Sequence, residues 1–303
     1  MEQKLPGLPY AAGLFGSGSE VLGFDTPMST DHNWGPRVHL ISERAFELRA
    51  LRKLLPREFL GFEVHPENSV EAFTIETLVA RLFGPQATPV FEPVDWLLAT
   101  QQELRSLVDG PIFHDGIGFS KMRSGFDYYP DSVYFYLLAS LWSRIGEEEH
   151  LVGRAGFVGD ELGARITASR LVRDLMRMGF LLERTYMPYQ KWFGSAYRML
   201  KHASAMEPLL LAILDAQDWR SRDVALSAAY QKVARQYASL RITPDAEPKV
   251  KRFFDRPFHV VCFDSGVVDA LRARIEDRQM REICGRRQIE KALRCLLTAR
   301  IWW

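Results

Sequence analysis

The sequence predicts an α+β protein, in which a mixed β-sheet with flanking helices is followed by a mainly α-helical bundle. Up to about residue 115, short apolar runs alternate with turn residues and with helical patterns. From about residue 127 onwards, long stretches of helical periodicity dominate. The 303 residues are 47% hydrophobic and 25% charged, which is enough to build two cores. We therefore expect an α/β domain over residues 1–115 and a helical domain over residues 116–303.

The elements of the first part follow from its apolar runs. Four runs predict strands, over residues 10–15, 38–41, 59–64 and 89–91. Three helical patterns accompany them, over residues 43–55, 71–83 and 95–108. The glycine-rich segment 109–125 then predicts the domain boundary.

The second part is predicted to be helical almost throughout. Helical patterns cover residues 131–145, 160–186, 195–216 and 221–240, and a further one runs from residue 266 to the C-terminus. One apolar run, over residues 258–263, predicts a strand.

Charge is divided unevenly between the two parts, although the net charge is only +1. Residues 1–115 contain 9 Lys/Arg and 16 Asp/Glu, and residues 116–303 contain the remaining 30 and 22. An acidic part that holds a divalent cation and a basic part that faces an anion would fit a polyphosphate substrate. The alternative is that the two surfaces differ in charge for solubility alone.

Several classes of protein are disfavoured. No apolar run is long enough to span a membrane, and the N-terminus lacks the apolar stretch of a signal peptide. The cysteines are three in number and far apart, which suits neither a disulfide framework nor a zinc site. No nucleic-acid-binding motif is recognised. We expect a cytoplasmic protein with no membrane partner and no clear nucleic-acid partner, and the sequence leaves a homodimer open.

The segment with the clearest chemical meaning begins at the end of the first predicted strand. Residues 13–19 read Gly-Leu-Phe-Gly-Ser-Gly-Ser, and Asp31 and Asn33 follow at the expected beginning of a second strand. Glycines let backbone N–H groups approach phosphate oxygens, and serine adds a hydroxyl donor. The twofold period of a strand places Asp31 and Asn33 on one face, where a carboxylate can hold Mg²⁺ against the same phosphates.

This arrangement resembles the nucleotidyltransferase superfamily, the polymerase-beta-like enzymes. In that superfamily a Gly-Ser pair precedes, by a short spacer, two carboxylates two residues apart on a strand. Gly16-Ser17 precedes Asp31 by thirteen intervening residues and Gly18-Ser19 by eleven. Both spacings fit, so either pair could bind the triphosphate.

The resemblance implies a Mg²⁺ site held by Asp31, Asn33 and a carboxylate from a later strand. Asn33 stands where the superfamily has its second carboxylate, and its neutral oxygen is a weaker Mg²⁺ ligand. Glu63 is the candidate for the third position because it interrupts an apolar strand pattern, where an unpaired charge is costly. The alternatives are that Glu63 lies in solvent on an edge strand, or that Asp95 takes its place unless it caps a helix.

The helical part carries a basic face. Four arginines share one side of the predicted helix 160–186, namely Arg170, Arg173, Arg177 and Arg184. Together with Lys191 and the neighbouring aromatic residues, this face could bind a triphosphate and stack a base. The alternative is a solvated face of the bundle.

A second resemblance covers most of the chain, about residues 10–290. Residues 29–37, 96–97, 110–115, 127–130 and 186–192 together resemble a bacterial family, domain of unknown function 4037. This resemblance implies a nucleotidyltransferase head followed by a helical domain similar to that of the kanamycin nucleotidyltransferases.

In the kanamycin enzymes, a glutamate one turn before a Lys-Trp pair is the general base, and the lysine contacts phosphate. Lys191 matches the lysine, whereas Met187 occupies the position of the glutamate. Glu183 or Glu161 could replace the base, unless each is a surface ion-pair partner. With Arg184 as a further phosphate contact, the resemblance predicts Mg²⁺-dependent transfer of a nucleoside monophosphate from a nucleoside triphosphate to a hydroxyl of a small molecule. The alternative is a nucleotide-binding or regulatory protein that has lost catalysis.

Overall fold

The computed structural model describes residues 7–30 and 35–285. The chain forms two compact units, Met1–Tyr128 and Tyr129–Trp303. The predicted ligands Asp31 and Asn33 lie outside the described residues, as does the segment after residue 285. Within the described part, no helix is long and apolar enough to cross a membrane.

A four-stranded mixed sheet forms the centre of the first unit, so the predicted α+β class is confirmed. Its strand order is β5-β2-β1-β6. Strand β1 runs antiparallel to β2 and β6, and β2 runs parallel to β5. The C-terminal end of β1 therefore lies at the same edge of the sheet as the N-terminal ends of β2 and β5. The strands of this unit, with the β3–β4 hairpin included, are β1 (Tyr10–Gly13), β2 (Val38–Ser42), β3 (Glu58–Phe59), β4 (Phe62–Glu63), β5 (Val70–Phe73) and β6 (Ile112–Asp115).

The first unit differs from the predicted elements at several points. The helix predicted over 43–55 is reduced to α1, and the pattern over 71–83 divides into β5 and α3. Thr74 causes that division, because its hydroxyl accepts the N–H of Thr77 and caps the start of α3. The run 89–91 forms no strand. The helices are α1 (Arg49–Arg52), α2 (Pro66–Ser69), α3 (Ile75–Phe83), α4 (Pro93–Leu98), α5 (Gln101–Val108) and α6 (Phe119–Ser124).

The segment predicted as a boundary contributes two elements to the first unit. Strand β6 pairs with β1, and Gly110 packs so tightly on the carbonyl of Leu14 that no side chain would fit. Phe119 of α6 is fully buried against Phe15. The division between the units consequently falls at residues 128 and 129.

The second unit is a bundle of long helices, as its periodicity predicts. The strand predicted over 258–263 is confirmed only as the short β8 (His259–Val260), which pairs with β7 (Lys251–Arg252), a strand that the sequence did not predict. The helices are α7 (Asp131–Glu148), α8 (Leu151–Phe157), α9 (Glu161–Leu182), α10 (Gln190–Tyr197), α11 (Ala203–Asp215), α12 (Trp219–Ser239), α13 (Val267–Ala273) and α14 (Arg278–Gly285).

A buried carboxylate joins distant parts of the second unit. Glu149 is only 2% exposed and follows α7. Its two oxygens accept the backbone N–H groups of Val261, Cys262 and Phe263 at 2.6, 3.0 and 2.8 Å. These three charge-assisted hydrogen bonds hold the segment after β8 against the end of α7.

Candidate functional site

The Gly/Ser turn, residues 16–19, follows β1 at the edge of the central sheet. Gly16 and Gly18 have φ angles of +82° and +129°, in the region that favours glycine. The N–H of Gly16 donates to the carbonyl of Ser106 in α5 at 3.2 Å. A side chain at position 18 would collide with Glu20 and Arg37. The two glycines are therefore required by the shape of this turn.

The donors of the turn differ in whether they are already used. The hydroxyl of Ser19 donates to Asp25 at 2.8 Å. Ser17 is exposed, and neither its hydroxyl nor the N–H groups of Ser17 and Gly18 have an acceptor among residues 7–30 and 35–285. Successive backbone N–H groups in such a turn form a concave site for an anion.

Arg37, which the sequence did not single out, fixes the turn from β2. Its Nη2 donates to the carbonyl of Ser17 at 2.9 Å and to the carboxylate of Glu20. The Arg37 side chain is only 12% exposed, and its ion pair with Glu20 offsets its charge, so Arg37 supports the shape of the turn. The sequence does place Arg37 directly before an apolar strand pattern. A strand pattern alone, however, does not show which loop the side chain reaches.

His39 supports the start of the turn from the neighbouring strand. Gly13, His39 and Glu71 lie side by side across β1, β2 and β5. Burial lowers the pKa of His39 to about 4, helped by Arg37 and Arg81 and opposed by Glu71. The ring is therefore neutral at pH 7, and its Nδ1 accepts the N–H of Phe15 at 3.2 Å.

Glu63 does not lie in the central sheet, and the prediction of a carboxylate inside a buried apolar strand is wrong. It belongs to the separate β3–β4 hairpin, its side chain is 75% exposed, and its carboxylate lies 4.0 Å from Nδ1 of His65. The apolar neighbours Phe59 and Phe62 are also exposed, so no burial penalty acts on Glu63. Alternating apolar residues predict a half-buried strand only if a second layer covers them.

Glu63 was chosen as a carboxylate that interrupts an apolar strand, and Glu71 has this property in the central sheet. It is half-buried in the apolar strand β5. The sequence pattern does not single out Glu71, because residues 70–73 run without a break into the helical pattern of α3. Asp95 has a structural role, since its Oδ2 accepts the N–H of Glu92 at 2.9 Å at the start of α4.

The described residues do not by themselves form a magnesium site. Among residues 7–30 and 35–285, no three metal-ligating side chains come together. The predicted ligands Asp31 and Asn33 lie outside that part, and the chain re-enters it at Gly35, three residues before β2.

In the second unit, Glu183 is engaged in holding a loop. Its carboxylate accepts the N–H groups of Lys201 and His202 at 2.8 and 3.0 Å, and it lies 3.0 Å from the ring of His202. Burial alone would raise the pKa of Glu183, but these hydrogen bonds lower it. The contacts also explain why the helix predicted over 195–216 is interrupted between α10 and α11.

The basic face of α9 is largely neutralised by partners. Arg170 pairs with Glu148, and Arg177 is buried beside Asp174 at 3.3 Å. Glu161, the second candidate base, pairs with Arg165 at 3.1 Å and Arg222 at 2.6 Å.

Two cations beyond α9 remain accessible. Arg184, with φ +48°, is 49% exposed, pairs with Asp131 at 3.1 Å and stacks over Tyr134. Lys191, at the start of α10, is exposed, lies 5.0 Å from the ring centre of Trp192 and has no ion-pair partner in the described part of this unit.

Comparison with known proteins gives one match. Residues 96–193 match the model of the family described as domain of unknown function 4037. Neither the curated proteins nor the solved structures gave a match. The matched stretch runs from α4 to α10 and includes Glu183, Arg184 and Lys191, but not the Gly/Ser turn. The predicted resemblance to the domain of unknown function 4037 family is thereby confirmed, over residues 96–193 of this chain.

Proposed function

We propose that the protein is a nucleotidyltransferase, which moves a nucleoside monophosphate from a nucleoside triphosphate to a hydroxyl of a small-molecule acceptor in the cytoplasm. The observation that carries this proposal is the Gly/Ser turn. It combines two left-handed glycines and a supporting arginine at the end of a central strand with a serine hydroxyl and backbone N–H groups that have no acceptor among residues 7–30 and 35–285. Such a turn suits the oxygens of a triphosphate.

The geometry favours Gly16-Ser17 over Gly18-Ser19 as the phosphate-binding pair. The Ser19 hydroxyl is already bonded to Asp25, whereas the Ser17 hydroxyl and N–H have no acceptor in the part of the chain that the structure describes. In this proposal Ser17 and Gly18 bind the phosphates, and Arg37 stabilises the turn through the Ser17 carbonyl. Lys191 and Arg184 stay predicted phosphate contacts of the helical part, as the resemblance implies.

The transfer itself is a displacement at phosphorus. The acceptor oxygen forms a bond to the α-phosphorus, the bond to the pyrophosphate oxygen breaks, and the hydroxyl proton passes to solvent. Mg²⁺, held by Asp31 and Asn33, would supply charge stabilisation of the phosphates. Glu183 and Glu161 are not included as bases, because their carboxylates are occupied by the contacts described above.

A second candidate function is nucleotide binding without turnover. The position of Glu63 on an exposed hairpin favours it, since the residue predicted as the third metal ligand lies outside the central sheet. Asn33, which stands in place of a carboxylate, also favours nucleotide binding without turnover.

Calorimetric titration of the protein with Mg²⁺ and a non-hydrolysable triphosphate tests the proposal, together with release of pyrophosphate from the natural one. We expect Ser17→Ala to weaken triphosphate binding by about tenfold or more, as for the loss of one hydrogen bond to a charged group. Ser124→Ala, on the surface of α6, is the matched control and should change nothing. Asp31→Ala should abolish the dependence of triphosphate binding on Mg²⁺, and Asn33→Asp should increase the affinity for Mg²⁺.

The outcomes separate the two functions. Pyrophosphate release that depends on Ser17 and Asp31 supports the transferase. Triphosphate binding that depends on Ser17, without any release, supports the binding protein. Identical titrations for wild type, Ser17→Ala and Asp31→Ala would reject both.

A further inference from the structure

A cavity of about 590 Å³ lies in the first unit, at the edge of the sheet that carries the Gly/Ser turn. It is lined by Val38 and Val70, the first residues of β2 and β5, and by the β3–β4 hairpin. This volume is in the range of pockets that enclose a small organic ligand.

The outer wall of the cavity consists of large apolar side chains that are exposed to solvent. Phe59, Leu60 and Phe62 of the hairpin region are 54%, 82% and 46% exposed, and Phe113 of β6 is 61% exposed. Exposed aromatic and aliphatic side chains gathered around one concave site are typical of ligand binding, because contact with a ligand removes their surface from water.

The lining also has polar members, and two of them, Glu20 and Arg37, lie next to the Gly/Ser turn. Arg37 lines the cavity and also bonds to Ser17 and Glu20. Its Nε is buried and has no acceptor in the part of the chain that the structure describes. A buried N–H without a partner is unfavourable, so an oxygen of a bound ligand would stabilise this group.

The charge of the cavity is low. Glu20 and Asp25 are the carboxylates among its described lining residues, and each already has a partner, Arg37 for Glu20 and Ser19 for Asp25. Such a lining offers little to a polycationic sugar. It suits instead a molecule with an apolar body and a head that contains oxygen.

From these observations we infer that the cavity binds the acceptor of the transfer, and that the acceptor has an apolar, ring-containing body and a hydroxyl-bearing head. The inference rests on the proposed function. The body contacts Phe59, Leu60 and Phe62, and Arg37 directs the head towards the turn. The hydroxyl oxygen of the head then bonds to the α-phosphorus as pyrophosphate leaves, and its proton passes to solvent.

The binding test uses the full-length protein and the fluorescent probe anilinonaphthalene sulfonate, which has an aromatic body and an anionic head. Phe59→Ser should weaken probe binding about fivefold, because it removes apolar contact area. Val90→Ser, 75% exposed in the same unit and outside the cavity, is the matched control and should bind as wild type. Equal thermal unfolding midpoints for both variants would show that the fold is intact.

Displacement of the probe decides which ligand the cavity takes. Displacement by naphthol, and none by an aminosugar or a nucleoside triphosphate, supports the inference. Displacement by the triphosphate would make the cavity a nucleobase site, and displacement by the aminosugar would contradict the apolar acceptor; either result overturns the inference.

The transfer assay separates failure of the inference from failure of the proposed function. We expect Phe59→Ser to raise the KM for a naphthol acceptor about fivefold and to leave the KM for the triphosphate unchanged. Transfer that occurs equally well in wild type and Phe59→Ser would overturn the inference alone. Probe binding that depends on Phe59, with no transfer to any acceptor, would overturn the proposed function and with it the acceptor role of the cavity.

Discussion

At the scale of single residues, His39 has the clearest dependence on pH. Its pKa is about 4 in the folded protein, against 6.5 for the ordinary side chain, chiefly because the ring is buried. Between these two values the unfolded chain binds a proton that the folded chain does not bind. The stabilisation from the neutral ring is therefore complete above about pH 6.5 and is lost as the pH falls towards 4.

We expect the free energy of unfolding to fall by up to about 3 kcal/mol between pH 7 and pH 4 through this group. Urea unfolding of wild type and His39→Gln at pH 7.5, 6 and 5 measures this free energy. We expect the difference in unfolding free energy between the two proteins to become smaller as the pH falls. His65→Gln, whose side chain is 58% exposed, serves as the control. A wild-type slope that survives in His39→Gln would show that other groups cause it.

At the scale of elements, the carboxylate of Glu183 determines where α10 and α11 separate. Glu183→Ala removes an acceptor from the N–H groups of Lys201 and His202, and we expect a loss of about 2 kcal/mol in stability. Glu207→Ala removes only the surface partner of Arg198 and should cost about 0.5 kcal/mol or less.

The same pair of variants tests whether Glu183 is a general base. Removal of a base lowers kcat by about a hundredfold or more, whereas a structural residue acts mainly on stability. We expect the thermal midpoint of Glu183→Ala to fall while kcat, measured well below that midpoint, stays within about twofold of wild type. A large loss of kcat with an unchanged midpoint would restore the role implied by the kanamycin enzymes.

The elements also show what the sequence can and cannot predict. Strands β1 and β2 and the long helices α7, α9 and α12 are confirmed, because each carries a regular apolar period along its own length. Strand β6 was missed because its residues after Ile112 are exposed and show no alternation. For Glu63 the sequence left two positions open, in a buried strand or in solvent on an edge strand, and could not decide between them, since the choice depends on which layer covers the hairpin.

For the candidate site, the Gly/Ser turn could be predicted from local sequence, because positive φ angles at Gly16 and Gly18 require glycine. Its partners could not. Arg37 and His39 reach the turn from β2 only because β1 and β2 pair in one particular register, which the sequence does not state.

At the scale of the whole molecule, the two units respond differently to acid. The first unit contains His39, whose neutral form is lost on acidification. In the second unit, burial raises the pKa of Glu148 and of Glu149, so protonation of these groups opposes acid destabilisation. Burial lowers the pKa of His150, a half-buried residue of the same unit, so acidification destabilises the second unit through this residue.

We therefore expect the first unit to unfold before the second at pH 5. Pulse proteolysis in increasing urea, with peptides mapped to each unit, should show residues 70–83 cleaved at lower urea than residues 164–182 at pH 5, and a smaller difference at pH 7.5. A single transition that moves equally for both sets of peptides at both pH values would contradict this expectation.

The three hydrogen bonds that Glu149 accepts affect the order in which the chain can fold. The carboxylate and its three N–H donors are separated by 112 to 114 residues. During synthesis on the ribosome, α7 emerges well before residues 261–263, and Glu149 must stay hydrated until they arrive. The bundle can then complete its core only late, since closing so long a loop is slow. Nascent chains that stop short of residue 261 would consequently remain open at the end of α7, where chaperones and proteases act.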